Sequence, residues 1–326
     1  MHVLAVGGAG YIGSHMVKRL LQDGHEVTTL DDLSSGHREA VLGGNFVQGN
    51  LADRGMLNDL FRSTQFDGVM HFASFIQVGE SMHAPGKYYR NNLAGTLNLL
   101  DAMVVNGANN LIFSSTAAIF GQPLRVPIDE AHPQSPINPY GRSKWMVEQM
   151  LGDFERAHGL RSVCLRYFNA AGADPEGMIG EWHEPETHLV PLVLQAASGR
   201  LDSVTIYGRD YDTPDGTCIR DYVHVVDLCR AHLLALEYLR AGSPGAAFNL
   251  GNGAGYSVQE VIDAAAEICG KPIPVTHGER RPGDAARLVA DATRARGTLG
   301  WRPQYGALPS ILAHAWTWER RLAGRK

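Results

Sequence analysis

The chain has 326 residues, of which 44% are hydrophobic and 19% charged, with a formal net charge of −5. This length suits about two domains with sizeable cores. The composition excludes extensive disorder, and an acidic balance without a basic stripe excludes a nucleic-acid surface. No apolar run approaches the ~18 residues of a membrane span. Arg320, Arg321, Arg325 and Lys326 read as a solvated C-terminal end. Cys164, Cys218, Cys229 and Cys269 form no C-x-x-C pair, so reduced thiols and a cytoplasmic setting are expected. No leader is expected before a glycine loop that opens at Gly7.

In chain order, short apolar runs at 2–6, 27–30, 46–48, 68–73, 110–115 and 162–168 read as strands. Amphipathic stretches at 12–22, 56–62, 86–106 and 140–158 read as helices between them. Strand–helix alternation predicts an α/β fold with a doubly wound parallel sheet. Beyond about residue 170, Gly- and Pro-containing stretches become frequent, with helices expected at 190–198, 226–240, 258–269 and 308–321. The expected organisation is a dinucleotide-binding domain over 1–170 and a smaller, mainly substrate-binding domain over 171–326, with some later segments returning to the first.

The first strand runs into Gly7-Gly8-Ala9-Gly10-Tyr11-Ile12-Gly13, a G-x-x-G-x-x-G pattern that opens a helix. Glycines permit a tight turn and close backbone approach to a pyrophosphate, and the helix offers that anion free N–H groups and a positive dipole end. Asp31 ends the second strand, where a carboxylate accepts hydrogen bonds from the adenine ribose and repels a 2′-phosphate. That favours NAD over NADP. Asp32 is the neighbouring alternative; the end-of-strand position favours Asp31.

Tyr140 and Lys144 stand at i and i+4 in Pro139-Tyr140-Gly141-Arg142-Ser143-Lys144 and share one helical face. A phenol with an ordinary pKa of about 10 needs roughly 4 kcal/mol of phenolate stabilisation to act as a base near pH 7. A nearby ammonium supplies part of it. The preceding strand ends in Ser114-Ser115-Thr116, which places a hydroxyl at the mouth of the sheet. Alone, each pattern is common among surface residues; one chain carrying all of them in order points to carbon–oxygen redox chemistry.

Together with His71-Phe72-Ala73, Val78-Gly79-Glu80-Ser81, Leu165-Arg166-Tyr167-Phe168-Asn169, Arg220-Asp221-Tyr222-Val223-His224 and Asn249-Leu250-Gly251, these residues resemble the extended short-chain dehydrogenase/reductase family, and within it the UDP-sugar 4-epimerases. The resemblance covers nearly the whole chain. It implies a Rossmann domain, tightly held NAD and isomerase activity. It implies Tyr140 as the base at the C4 hydroxyl, Lys144 on the ribose and Thr116 bridging to the substrate oxygen. Gly7, Gly10, Tyr11, Ile12, Gly13, Asp31, Asn50, Leu51, Phe72, Ala73, Asn91, Ser114, Tyr167 and Phe168 are the expected cofactor contacts, besides Tyr140 and Lys144. Asn169, His188, Leu189, Thr205, Tyr207, Arg220, Arg281, Asp284 and Leu288 are the expected substrate contacts; the arginines suit diphosphate oxygens.

Several positions depart from the common pattern of the family. Thr116 replaces serine, Asn50 an aspartate, Ile76 a lysine, and His188 an asparagine whose role it does not plainly inherit. Leu288 replaces a tyrosine, and the smaller side chain leaves room for an N-acetyl group at C2. Related dehydratases and decarboxylases carry acids after the active-site threonine, whereas this chain has Ala117-Ala118. Simple epimerisation is therefore expected, with UDP-glucose/UDP-galactose the leading pair and UDP-N-acetylhexosamines or UDP-xylose/arabinose as alternatives. A non-catalytic NAD-binding sensor is the competing class; it commonly loses the tyrosine or the lysine. The resemblance also implies a homodimer paired through helices 86–106 and 140–158. His183, Glu184 and His188 lie close in one loop but lack a standard zinc spacing, so no metal is expected.

Overall fold

A computed structural model describes residues 1–281 and 283–324; Arg325 and Lys326 of the expected basic end lie outside the described residues. Strands β1 (His2–Val6), β2 (Glu26–Asp31), β3 (Asn45–Gln48), β4 (Gly68–His71), β5 (Asn110–Thr116) and β6 (Arg161–Tyr167) are joined by a late strand, Ala246–Leu250, in one sheet. Its order is Ala246–Leu250, β6, β5, β4, β1, β2, β3, and every pairing is parallel. The chain builds outward from β1 in one direction and then, from β4, in the other. The crevice between β1 and β4 is the place where such sheets bind ligands.

Period-two side-chain alternation sorts each strand between two cores. Val3 and Ala5 face helices Tyr11–Gln22 and Val225–Arg240, packing with Met16, Val17, Leu228 and Leu236. Leu4 and Val6 face the opposite layer, where helices Arg54–Ser63, Thr96–Val105 and Pro139–His158 contribute Leu57, Leu99, Met103, Val147 and Leu151. A third core joins helices Leu189–Ser198, Val258–Cys269 and Leu308–Ala323 through Val193, Leu194, Val261, Ile262, Ile311 and Leu312. Among the described residues, no helix is long and apolar enough to cross a membrane.

Two expected elements change shape at the crevice. The strand expected over 68–73 stops at His71, because the N–H groups of Phe72 and Ala73 both turn to Val6 O, at 2.7 and 3.1 Å. The helix expected over 86–106 is three pieces: Pro85–Tyr88, a π-helical stretch Tyr89–Gly95, and Thr96–Val105. In the wide turn, Asn92 grips the loop after β4 through both backbone groups of one residue, Phe75. It accepts from Phe75 N at 2.9 Å and donates to Phe75 O at 3.0 Å. A π-bulge often marks a functional site, and this one carries Asn91 to the crevice wall.

Candidate active site

The Tyr11–Gln22 helix begins where β1 ends, and the loop between them has almost no spare volume. Gly7 adopts φ +80°, and a Cβ there would lie 2.4 Å from Ala73 N. At Gly13 a Cβ would lie 2.1 Å from Gly7 O. Gly10 differs: its Cβ would meet only Gly7 O at 3.5 Å, and the residue lines an open cleft of about 580 Å³. Gly13 thus serves the protein's own packing, Gly7 both packs closely and lines the cleft, and Gly10 keeps space clear for a ligand. The same cleft is lined by Asp31, Asn50, Leu51, Phe72, Ala73 and Asn91. That combination fits a dinucleotide: a pyrophosphate against Gly10 and the first turn of the helix, a ribose against the acid.

Asp31 is nearly buried. One carboxylate oxygen accepts from Ala9 N and the other from Leu33 N, both at 2.9 Å, so the acid also braces the glycine loop. Burial pushes its pKa up, and the two backbone N–H groups oppose that shift. Asp32 also lines the cleft, and it accepts from Asn50 Nδ2 at 2.5 Å. Both acids therefore face the adenosine end. Tyr11 turns its phenol away and donates to Gly172 O at 2.6 Å; at the first helical position its backbone N–H is what remains for an anion. Ser34, Ser35, Gly36, Ser74 and Phe75 line the cleft as well, unforeseen from the sequence. The first three follow directly on the ribose acid, a turn-type run that could have signalled them.

At the other end of the crevice, Asn138 caps the Pro139–His158 helix, accepting from Gly141 N at 2.8 Å, and so fixes the turn that carries Tyr140. Lys144, one turn on, is buried and donates to Ser114 O at 2.8 Å. Burial lowers its pKa to about 7. Thr116, at the end of β5, accepts from Ala118 N at 3.1 Å, and its hydroxyl favours the ionised form of the Tyr140 phenol. Burial raises the Tyr140 pKa, and the Thr116 contact opposes it. In the protein alone burial wins, so the phenolate needs a further positive charge. Ser114 Oγ lies 2.9 Å from His232 Nε2, whose Nδ1 is 2.8 Å from Leu228 O. Tyr167 stands beside Ser114 and Tyr140, and burial raises its pKa. Phe168 packs with Leu288 and Ala117 against Ile119, Phe120 and Ile128.

The expected substrate residues come from scattered segments. Asn169 donates from Nδ2 to Asp221 O at 3.0 Å. Arg220 donates to Ala285 O at 2.8 Å and pairs with Asp284 at 3.5 Å. The Arg281 guanidinium stacks 4.0 Å from the Tyr207 ring centre. Thr205 faces Thr276 across paired strands at 3.0 Å. Leu288 lies opposite Arg220 in a short parallel pairing and belongs to the Phe168 cluster. Leu189 begins its helix, and His188 immediately before it turns its ring to Glu181 and Glu186.

Over residues 3–251 the chain matches the model of the NAD dependent epimerase/dehydratase family. It is 49% identical to the UDP-glucose 4-epimerase of Rhizobium meliloti (strain 1021), covering 98% of this chain and 97% of that protein. Its structure is similar to that of UDP-glucose 4-epimerase from Brucella ovis in complex with NAD, with a TM-score of 0.95, 48% identity and 97% of each chain covered. It is similar too to UDP-glucose 4-epimerase from Bifidobacterium longum in complex with NAD+ and UDP, with a TM-score of 0.94, 38% identity and 98% of each chain covered. The chain belongs to the NAD-dependent epimerase/dehydratase family.

Proposed function

We propose that the chain interconverts the C4 epimers of a UDP-sugar, UDP-glucose/UDP-galactose being the leading pair, with NAD retained through each turnover. The observation that carries this reading is the convergence of Tyr140, Thr116 and Lys144 at the end of β5, beside the end of β4 whose following residues Phe72 and Ala73 line the dinucleotide cleft, with alanines rather than acids after Thr116.

Oxidised nicotinamide, when bound, supplies the hydride acceptor for C4 and a positive ring charge. The residues supply the proton path and the grip. Tyr140 takes the C4 hydroxyl proton as that carbon is oxidised, and Thr116 shares the hydrogen bond to the same oxygen. Lys144, held by Ser114 O, would bind the cofactor's ribose and, as an ammonium, favour the ionised phenol. The 4-keto sugar then turns over while UDP stays anchored, C4 takes the hydride back on its opposite face, and Tyr140 returns the proton to the oxygen of the new epimer. Arg220 and Arg281 anchor the diphosphate, with Asn169, Leu189, Thr205, Tyr207 and Asp284 around the nucleotide. Asp31, Asn50, Leu51, Phe72, Ala73 and Asn91 hold the cofactor. Residues 1–170 with the Ala246–Leu250 strand form the cofactor domain, and most of 171–326 the substrate domain.

The test is to incubate purified protein with UDP-galactose, adding no NAD, and to follow the anomeric protons by NMR. UDP-glucose should appear, and Tyr140→Phe should abolish its appearance. No conversion with NAD supplied and a panel of UDP-sugars would leave the NAD-binding sensor as the better reading. A second substrate class, the UDP-N-acetylhexosamines, is favoured by Leu288 beside Phe168.

A homodimer is part of the proposal. Leu97 and Val105 on the Thr96–Val105 helix are exposed, as is Met82 on the neighbouring short helix, which supports pairing of two copies over this face. A monomeric mass by light scattering at micromolar protein would overturn it. Four free cysteines, three of them buried, support a cytoplasmic setting.

A further inference from the structure

The segment between the cofactor and substrate regions carries a cluster that the proposed reaction does not use. Glu181, His183, Glu186 and His188 present one ligand atom each, all within 4.8 Å of one another, the one such cluster among the described residues. His188 Nδ1 lies 2.8 Å from Glu181 Oε1 and 2.9 Å from Glu186 Oε1. His183 Nδ1 lies 3.3 Å from Glu181 Oε1 and 3.5 Å from Glu186 Oε2. Four ligands about 2.0–2.1 Å from a tetrahedral ion stand about 3.3 Å from each other, so these separations bracket what such an ion requires. His183 Nδ1 is buried and makes no hydrogen bond, although it points into the cluster. Glu184, considered from the sequence, takes no part: it is exposed and accepts from Trp182 Nε1.

The scaffold is firm on both sides. Trp318 Nε1 donates to Glu181 O at 3.0 Å, tying the segment to the Leu308–Ala323 helix. Trp182 stacks on His37 at 3.7 Å, and the Tyr11 ring meets His183 edge-on, tying it to the cofactor region. Two carboxylates carry two negative charges, which either two imidazolium protons or one divalent cation can neutralise. Burial by itself would lower the histidine pKa values. The contacts with Glu181 and Glu186 override it and raise His183 to about 9 and His188 to about 10.

We propose that Glu181, His183, Glu186 and His188 bind a divalent transition-metal ion of the zinc class in a closed, four-ligand structural site. Imidazole and carboxylate donors suit zinc. With all four positions taken by protein, no ligand place is left for water or substrate, so the ion does not enter the reaction. It fixes the approach to the Leu189–Ser198 helix, which begins one residue after His188.

The experiment uses untagged full-length protein, stripped with a chelator and exchanged into metal-free buffer. Calorimetric titration with zinc chloride should show one saturable site per chain. Cobalt(II) in its place should give the intense visible absorption of a tetrahedral ion. Zinc should raise the melting temperature of stripped wild type but not of Glu186→Gln, and His183→Ala should weaken binding at least 100-fold. Tyr140→Phe should bind zinc as wild type does, which separates this site from the proposed reaction. Absence of saturable zinc binding in the stripped wild type overturns the proposal, as does wild-type affinity in His183→Ala/His188→Ala.

Discussion

The cofactor cleft and the substrate wall of this protein are built on opposite plans. The cleft is made largely of backbone. Gly7, Gly10 and Gly13 lie within seven consecutive residues, and Asp31 braces them through Ala9 N. The wall is made of side chains drawn from positions 169 to 288, and they already occupy one another: Arg220 with Asp284, Arg281 with Tyr207, Thr205 with Thr276. A backbone-built site has its shape before a ligand arrives, whereas a paired wall that takes up a diphosphate, as proposed for Arg220 and Arg281, would exchange its internal contacts for those of the ligand. The first plan suits a cofactor that stays, and the second a substrate whose sugar must turn over between steps.

The sharpest test of the division lies where the two regions meet. Tyr140→Phe removes the proton carrier and leaves both sites intact, so turnover should fall by roughly 10²–10⁴-fold with NAD content and the KM for UDP-galactose little changed. A matching loss of bound NAD, read by chromatography of the denatured protein, would mean that the phenol is part of the cofactor's grip. Within the cleft, two glycines should separate. Gly13→Ala drives a Cβ into backbone at Gly7 and Gly8, 2.1 and 2.8 Å away, and should cost roughly 1–3 kcal/mol of stability as well as the cofactor. Gly10→Ala meets only Gly7 O at 3.5 Å, so its melting temperature without cofactor should stay near wild type while NAD retention drops. Equal destabilisation by both would break the distinction between a packing glycine and a ligand glycine.

The same contrast explains what could be read from the sequence. The parallel sheet, the glycine loop, Asp31 and the Tyr140–Lys144 face announce themselves because local geometry demands particular residues at fixed spacing. The π-helical turn at Tyr89–Gly95 did not, since the grip of Asn92 on Phe75 is a long-range contact with no local periodicity. Glu181 and Glu186 escaped notice for a similar reason: whether a carboxylate in a loop points at a histidine is decided by Trp182 and Trp318, which anchor that loop to two other elements. The substrate residues came from resemblance alone. The structure shows why, for Arg220 and Asp284 are 64 positions apart and meet only through the pairing of two two-residue strands.

On the wall side, Arg220→Ala should raise the KM for the UDP-sugar about 10- to 100-fold, the range for a hydrogen bond to a charged group, with a smaller change in kcat. Asp284→Asn should change KM less, because it frees the arginine rather than removing it. Stability should also depend on pH. His15, His71 and His232 lie buried in the parallel sheet or on the helices Tyr11–Gln22 and Val225–Arg240 beside it, and burial lowers their pKa values to about 4, 3 and 4. Above their ordinary value of 6.5 both folded and unfolded chains hold them neutral. As the pH falls from 6.5 towards 4, only the unfolded chain takes up the protons, so stability is lost with acidification, on the order of 1 kcal/mol per pH unit for each histidine. Urea midpoints at pH 7 and 5.5 check this, and His232→Gln should flatten the slope.

The smallest expected effect concerns the floor of the sugar site. Leu288 joins Phe168, Ala117 and Trp145 around Ile119, Phe120 and Ile128, at the end of the wall nearest Thr116. If this cluster borders the sugar, as proposed, a leucine there leaves more room than a tyrosine for a C2 N-acetyl group. Wild type should therefore turn over UDP-N-acetylglucosamine as well as UDP-galactose, and Leu288→Tyr should cut the first about tenfold, near the lower end of what a steric change in a pocket achieves, while leaving the second within about threefold. Failure of wild type to use the N-acetyl sugar would show that other side chains close the space, and a parallel fall of both activities would mean that Leu288 supports the packing under Phe168 rather than choosing the sugar.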